Sequence, residues 1–407
     1  MCPGLKLPRG FGQYNFLMAE IPLKYGCNPN QKHARILTPD PSPLEIVNGN
    51  PSYINLMDGI RSWQLVRELK QATGKPAAAS FKHVSPAGCA VAAELSPAFK
   101  KSQFIADDTE LSPAATAYAK ARSSDRVASF GDFIAVSEPV DITLAMLIKP
   151  EVSDGIIAPG YDADALAILK AKKRGGYVML QMDPGYTPPA VESRTDFGIT
   201  LEQSFNDAAV TPELFGNVVT ENKKLSDGEI TTAMVSTITL KHTQSNSICV
   251  GYEGQAVGVG AGQQSRIACT RIACDKADRW FMKLHPKALQ LQFVDGVPRS
   301  EKVNAVDMYI RYMELDEREL TQFEKAVEHH PGAISEQERA DWLSAFGGIV
   351  LSSDAFMPFR DNLDRAAQSG VKVLVQAGGS ARDEGVIQAA NEHGMAMAFT
   401  GMRLFLH

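Results

Sequence analysis

Pro76-Ala77-Ala78-Ala79-Ser80-Phe81-Lys82-His83-Val84-Ser85-Pro86-Ala87-Gly88 is the stretch from which the rest of the chain is read. Its first half is small and apolar and reads as a buried strand. Ser85-Pro86-Ala87-Gly88 reads as a turn. A strand that ends in Lys82-His83 places two titratable groups at a carboxyl end, where open α/β sheets hold their ligands. The Lys82 ammonium disfavours a second positive charge on the imidazole beside it. A neutral His83 can then act as a general base, and Lys82 can stabilise developing negative charge. A solvated surface pair is the plain alternative.

Working outward, Ile60, Trp63, Val66 and Leu69 recur every third residue over 58–72, and Leu65 widens the stripe. This spacing predicts an amphipathic helix closed by Gly74 and Pro76. Further strands are expected at 133–136, 155–158 and 177–182, with helices at 112–121 and 161–173. In the second half a helix is expected at 229–240, with strands at 248–252, 256–260, 347–352, 371–376 and 395–399. Helices at 361–368 and 382–393 lie between the late strands, and charged helical patterns at 301–313, 316–329 and 335–345 form an insert. The alternation implies an α/β layer with a largely parallel sheet, laid out twice. Residues 1 to about 20 read as a poorly ordered arm, 38–51 as a loop, and 183–189 as a Pro-rich loop just before a domain boundary. The division expected is an arm over 1–21, a first domain over 22–205, and a second over 206–407 with a helical insert near 301–346.

At 407 residues the chain exceeds one ordinary core. A net charge of −6 argues against a nucleic-acid binder, because there is no basic excess to neutralise phosphates. The six cysteines never form Cys-x-x-Cys, which points to free thiols of a reducing compartment and away from a structural zinc. The N-terminus has no signal pattern and no apolar run is long enough to cross a bilayer, so a cytoplasmic protein is expected.

Three polar motifs stand out. Gly258-x-Gly260-x-Gly262-Gln-Gln-Ser-Arg266 reads either as a hairpin turn or as a turn whose backbone approaches a ligand, with Arg266 contacting an anion. Thr243-Gln244-Ser245-Asn246-Ser247 could bind a polar substrate or a monovalent cation, or could serve as a capping cluster. Leu351 to Asn362 runs from a strand into a helix; Phe356 and Phe359 suit a stacked ring or a core pair, and Asp361 could cap the helix. The terminal Met402-Arg403-Leu404-Phe405-Leu406-His407 alternates enough to be a docked strand.

Together with Leu23-Lys24-Tyr25-Gly26-x-Asn28-Pro29-x-Gln31, Ser129-Phe130-Gly131-Asp132-Phe133 and Glu151 to Tyr161, these blocks resemble one family. It is the AICAR (5-aminoimidazole-4-carboxamide ribonucleotide) transformylase portion of the bifunctional purine-biosynthesis proteins. The resemblance runs from about residue 22 to 407 and implies two cytidine-deaminase-like three-layer α/β domains without the deaminase zinc. It implies formyl transfer from 10-formyltetrahydrofolate to the 5-amino group of AICAR, at active sites shared across an intertwined homodimer. Carried over by position, His83 would be the general base, and Lys82 and Asn246 would stabilise the transition state. Lys24, Tyr25, Asn55, Gly131, Asp154, Arg266 and Arg403 would bind the nucleotide, with Asn246 and Arg266 reaching it from the partner chain. Ile267, Phe356, Asp361, Ser380 and Ala381 would line the folate pocket. Thr243, Ser245, Ser247 and Asp354 would contribute to a potassium site. The family's usual cyclohydrolase domain has no counterpart here, so a separate IMP cyclohydrolase is expected. Lys24 stands where the family carries Arg, which keeps the charge but loses the bidentate fork and should weaken phosphate binding. A non-catalytic AICAR-binding protein is the alternative these residues leave open.

Overall fold

Ala77, Ala79 and Phe81 face one hydrophobic cluster and Ala78 faces another, the period-two pattern of a strand buried on both sides. This strand lies inside an 11-stranded sheet in the computed structural model, which describes residues 18–407. The part of the expected arm before residue 18 lies outside the described residues. In chain order the sheet strands are β1 (Leu44–Asn48), β2 (Ala77–Lys82), β3 (Ser85–Val91), β4 (Asp132–Val136), β5 (Ser153–Ala158) and β6 (Val178–Met182). They continue as β7 (Ile248–Tyr252), β8 (Gln255–Gly260), β9 (Ile349–Ser353), β10 (Val371–Gln376) and β11 (Ala396–Phe399). Their spatial order is β11-β10-β9-β7-β8-β3-β2-β4-β5-β6-β1.

The sheet is mixed, not largely parallel. β4-β5-β6 and β9-β10-β11 are parallel runs. β2-β3 and β7-β8 are antiparallel hairpins, each joined by two residues at positive φ: His83-Val84 and Glu253-Gly254. So short a connection can only link antiparallel strands. Ser85-Pro86-Ala87-Gly88, expected to be a turn, is therefore the start of β3, and the turn falls one step earlier. Hairpin plus three parallel strands occurs twice, as β3-β2-β4-β5-β6 and β8-β7-β9-β10-β11, so the repeated layout expected from the sequence is present. The copies are joined where β3 meets β8.

Helices α1 (Tyr53–Thr73), α2 (Pro113–Ser123), α3 (Asp227–Lys241) and α4 (Arg266–Met282) complete the repeat. α1 precedes the first hairpin and α3 the second. These two pack against each other and share a single cluster under one face of the whole sheet. α2 and α4 cover the opposite face, giving three layers with twelve α-helices among the described residues.

Several local expectations are corrected. Residues 38–51 are not one loop: Arg35–Pro39 pairs with Met18–Pro22, and Leu44–Asn48 is the edge strand β1. The prolines there sit between and at the ends of edge strands, where no ladder donor is needed. The 316–329 pattern divides into a helix over Glu317–Ala326 and a strand over Val327–His329. Val191–Asp196 and Ile199–Ser204 form a separate, exposed two-stranded hairpin that polar composition concealed. The chain end docks without becoming a strand: Leu404 N donates to Asp354 O at 2.8 Å, and Ser245 N donates to Leu406 O at 3.0 Å. Among the described residues, no helix is long and apolar enough to cross a membrane. The five described cysteines are free.

Candidate active site

Tracing the pairings outward from β2 places the polar residues on one edge of the sheet. On that edge lie the His83-Val84 turn, the starts of β4 and β5, the start of β7, and the ends of β8, β9, β10 and β11. His83 and Val84 have φ of 55° and 58°. Neither is glycine, and a β-branched residue in this left-handed region costs about 1–3 kcal/mol. The turn is held from below, where Val84 N donates to Asp58 Oδ1 at 2.6 Å. Asp58 is buried on α1. Burial pushes its carboxyl up, the Val84 N–H and the His83 charge oppose that, and Asp154 and Asp132 add to it. His83 itself is exposed.

Lys82 Nζ donates to Phe130 O at 2.6 Å, which fixes the ammonium beside Gly131. Gly131 has φ of 77°, and a Cβ added there would stand 3.9 Å from the Asp154 carboxylate oxygens. Asp154 pairs with Lys173 at 2.8 Å on the surface. Asn55 lies one turn before Asp58, and its Oδ1 accepts from Ser52 N and Oγ in the capping box of α1. Lys82, His83, Gly131, Asp154 and Asn55 thus converge on one end of the first repeat.

A buried ion network underlies that end. Arg122 meets Asp132 at 2.8 Å and Glu151 at 3.2 Å, and its third arm donates to Val152 O at 3.0 Å. Arg126 and Arg299 both reach Glu151, at 2.7 and 2.8 Å. Ser80 bridges Asp132 and Ser129. The network ties the start of β4 to the start of β5, and with them Gly131 and Asp154. Burial alone would raise the Glu151 carboxyl, but Arg126, Arg122 and Arg299 hold it below its ordinary 4.5. A carboxyl depressed on folding contributes stability that is complete above its unfolded value and lost as pH falls through the folded one. The urea midpoint is therefore expected to fall as pH drops below 4.5, and to fall less steeply in Glu151→Gln. Equal slopes for both proteins would contradict this.

A second cluster lies along the same edge in the other repeat. Arg266 Nη1 bonds Asp354 and donates to Ser247 O at 3.0 Å, while Nη2 donates to Asn246 Oδ1 at 3.0 Å. Asn246 Nδ2 donates to Gln263 O and Gln264 O. The anion that Arg266 holds within the chain is thus the Asp354 carboxylate. Ser245 Oγ, Ser247 Oγ and Ser247 N donate to Asp354 Oδ2, and Thr243 Oγ1 donates to Thr239 O. A guanidinium therefore already neutralises Asp354, and the three hydroxyls spend their protons within the chain. Gly258 and Gly260 serve neither of the readings given above. A Cβ at either would stand 2.1 or 2.3 Å from the Ala273 or Cys269 carbonyl, so they let α4 lie close on β8.

Beyond β9 and β10, Phe356 and Phe359 are 45% and 50% exposed, so they are not a core pair. Phe359 stacks under the Arg382 guanidinium at 4.6 Å. Asp361 opens a helix as its first residue, without capping it, and accepts from Asn362 Nδ2 at 2.9 Å. Ser380 and Ala381 are in the loop after β10, where Asp383 accepts from Ser380 N at 3.0 Å. Ile267 is the second residue of α4 and half-buried. These residues gather at the carboxyl ends of parallel strands, the usual ligand edge of an α/β sheet.

Arg403, 4.9 Å over the Phe405 ring, lines a cavity of about 1250 Å³ with Arg61, Arg67, Lys241 and His242. Arg61 and Arg67 were not picked out by sequence motifs, since on α1 they read as ordinary helix-surface charges. Lys24 and Tyr25 stand on the loop of the 18–39 ribbon, with Nζ 6.0 Å from the Tyr25 ring. Among the described residues, no hydrogen bond ties them to the Lys82 cluster. Asp58 was missed as well, although an acid within the buried stripe of a helix was a legible signal.

A family model described as AICARFT/IMPCHase bienzyme matches residues 11–276. The bifunctional purine biosynthesis protein PurH of Roseobacter denitrificans is 32% identical over 390 residues, covering 95% of this chain and 59% of that protein. PurH of Magnetococcus marinus is 32% identical over 397 residues, with the same coverage. PurH of Cereibacter sphaeroides is 32% identical over 390 residues, again covering 95% and 59%. The chain therefore spans 59% of the length of these curated relatives.

Proposed function

The chain belongs to the AICARFT/IMPCHase bienzyme family, and from that premise we propose that it transfers the formyl group of 10-formyltetrahydrofolate to the 5-amino group of AICAR. The observation that carries this reading is the His83-Val84 turn, which sets an exposed imidazole next to the Lys82 ammonium, beside Gly131 and Asp154.

The 5-amine is a weak nucleophile, because its lone pair is delocalised toward the carboxamide. As its nitrogen attacks the formyl carbon, His83 takes the amine proton. The electron pair of the carbonyl moves to the formyl oxygen, and the Lys82 ammonium stabilises that charge. Lys82 spends one donor on Phe130 O and keeps two for this task. Asn246 can join only by giving up one of its carbonyl partners, Gln263 or Gln264. When the intermediate collapses, the carbon–nitrogen bond to folate breaks and the folate nitrogen takes up the proton that His83 accepted, leaving formyl-AICAR and tetrahydrofolate. Asp154, Gly131 and Asn55 would hold the nucleotide, with Arg403, Arg266 and Lys24 on its phosphate and carboxamide. Ile267, Phe356, Asp361, Ser380 and Ala381 would hold the folate. No step is routed through potassium. The cytoplasm, where purine assembly takes place, is the proposed compartment.

Within one chain the Lys82-His83 turn on β2 is three strand steps from the start of β7, just after Asn246, roughly 14 Å. The exposed hairpin at 191–204 carries Phe197, Ile199 and Leu201 in solvent, a surface suited to a second chain. Both features support a homodimer in which each site draws Asn246 and Arg266 from the partner. His83→Ala and Asn246→Ala are each expected to be nearly inactive alone. Mixed after dissociation, they should recover about a quarter of wild-type activity, because half of the dimers carry one intact site of two. No recovery on mixing would place each site within one chain.

The reaction is tested by following tetrahydrofolate release with AICAR and 10-formyltetrahydrofolate, with and without added IMP cyclohydrolase. AICAR-dependent release that rises with the cyclohydrolase supports the reading. AICAR binding without release would overturn it.

A further inference from the structure

The His83-Val84 turn raises a physical question that its proposed chemistry leaves unanswered. Two-residue hairpin loops with positive φ at both positions favour glycine, asparagine and aspartate. This turn uses His and Val, and Val84 is β-branched. The second hairpin of the repeat has the same loop length but places glycine, Gly254, at the matching position. The first hairpin therefore keeps a strained residue where the fold elsewhere uses an unstrained one, and something outside the loop must hold it.

The holding group is on α1. Asp58 is buried, although it lies on the helix face that carries Leu56, Ser62, Leu65 and Leu69 into the core. Its Oδ1 accepts the Val84 amide at 2.6 Å, a bond to a carboxylate and hence stronger than a neutral one. Among the described residues it makes no ion pair that would otherwise account for a buried acid. Val84 N–H lies between the two residues whose side chains define the turn, so fixing it also fixes the direction in which the His83 imidazole leaves the backbone.

We propose that Asp58 is a positioning residue: its carboxylate clamps the strained Val84 amide and thereby aims His83 at the nucleotide amine. This rests on the formyl-transfer reading given above. A clamp of this kind acts on the rate of the chemical step more than on binding, because a misplacement of about 1 Å at the reacting group can cost about a hundredfold.

The full chain is the test object. His83-Val84 is its sole His-Val pair, so labelling His with carbonyl carbon-13 and Val with nitrogen-15 isolates the Val84 amide as one resonance. In Asp58→Asn, which preserves shape and an acceptor, that proton is expected to move upfield as the bond weakens, with turnover reduced by less than about tenfold. Asp58→Ala is expected to lose about a hundredfold in kcat with little change in KM for AICAR. Adding Val84→Gly removes the strain, and the double variant is expected to recover most of that loss. Simple damage to the core under α1 would not be repaired by glycine at position 84. An unmoved Val84 resonance in Asp58→Asn, full turnover in Asp58→Ala, or no recovery in the double variant would each overturn the clamp. Wild-type protein without folate-dependent turnover would instead overturn the proposed reaction, and the Val84 resonance would still decide whether Asp58 holds the turn.

Discussion

His83→Ala is expected to lower formyl transfer by roughly a hundred- to ten-thousandfold, the usual contribution of a positioned general base. The side chain is exposed at the turn and makes no hydrogen bond within the described residues that folding would miss, so the variant should melt like the wild type. AICAR affinity, measured by calorimetry, should change little, because the proposed phosphate contacts are elsewhere. Stopped-flow release of tetrahydrofolate separates the chemical step from binding. Turnover near the wild-type rate would remove His83 from the reaction.

The second large effect is on stability. Arg122→Ala removes the guanidinium that joins Asp132 and Glu151 at 2.8 and 3.2 Å, all three side chains being almost wholly buried. Burial works against the Arg122 charge, but Asp132 and the neighbouring groups outweigh it and hold the guanidinium protonated. Removing one member of a buried ion network leaves the others uncompensated and costs about 3–5 kcal/mol. The expected result is a fall of that size in urea unfolding free energy. Asp132 would lose its only guanidinium among the described residues, whereas Glu151 would keep Arg126 and Arg299. Because the network ties β4 to β5, the folded fraction should also bind AICAR more weakly through a loosened Gly131-Asp154 edge. An unfolding free energy within 1 kcal/mol of wild type, the scale of an exposed pair, would show that the network has no structural weight.

The sequence made the strands and the repeated α/β layout legible because nearly every sheet strand is a short apolar run bounded by turn residues. It did not reveal the sense of pairing. Ser85-Pro86-Ala87-Gly88 has turn composition, yet β3 accepts it. Proline at position 86 sits beside the bulge near Ser80 and Phe81, and Gly88 is needed because a Cβ there would stand 2.3 Å from Ser124 Cβ. The turn that does form, His83-Val84, carries none of the residues that normally announce one. Lys82, His83, Gly131 and Asp154 were legible through motif resemblance, and the fold brings them to one edge. Asp58 showed as an acid in a buried helix stripe, but its role did not, because it depends on a backbone amide 26 residues away in sequence. The ion network below the edge was invisible for the same reason: Arg122 and Arg299 come from two helices, Asp132 from a strand and Glu151 from a bend.

Carbon-13 in the formyl group follows the proposed transfer between the two molecules directly. With labelled 10-formyltetrahydrofolate and AICAR, a new formamide resonance on the 5-amino nitrogen is expected, formed at an enzyme-dependent rate and lost in His83→Ala. Label that stays on folate, or appears as formate whether or not AICAR is present, would contradict it.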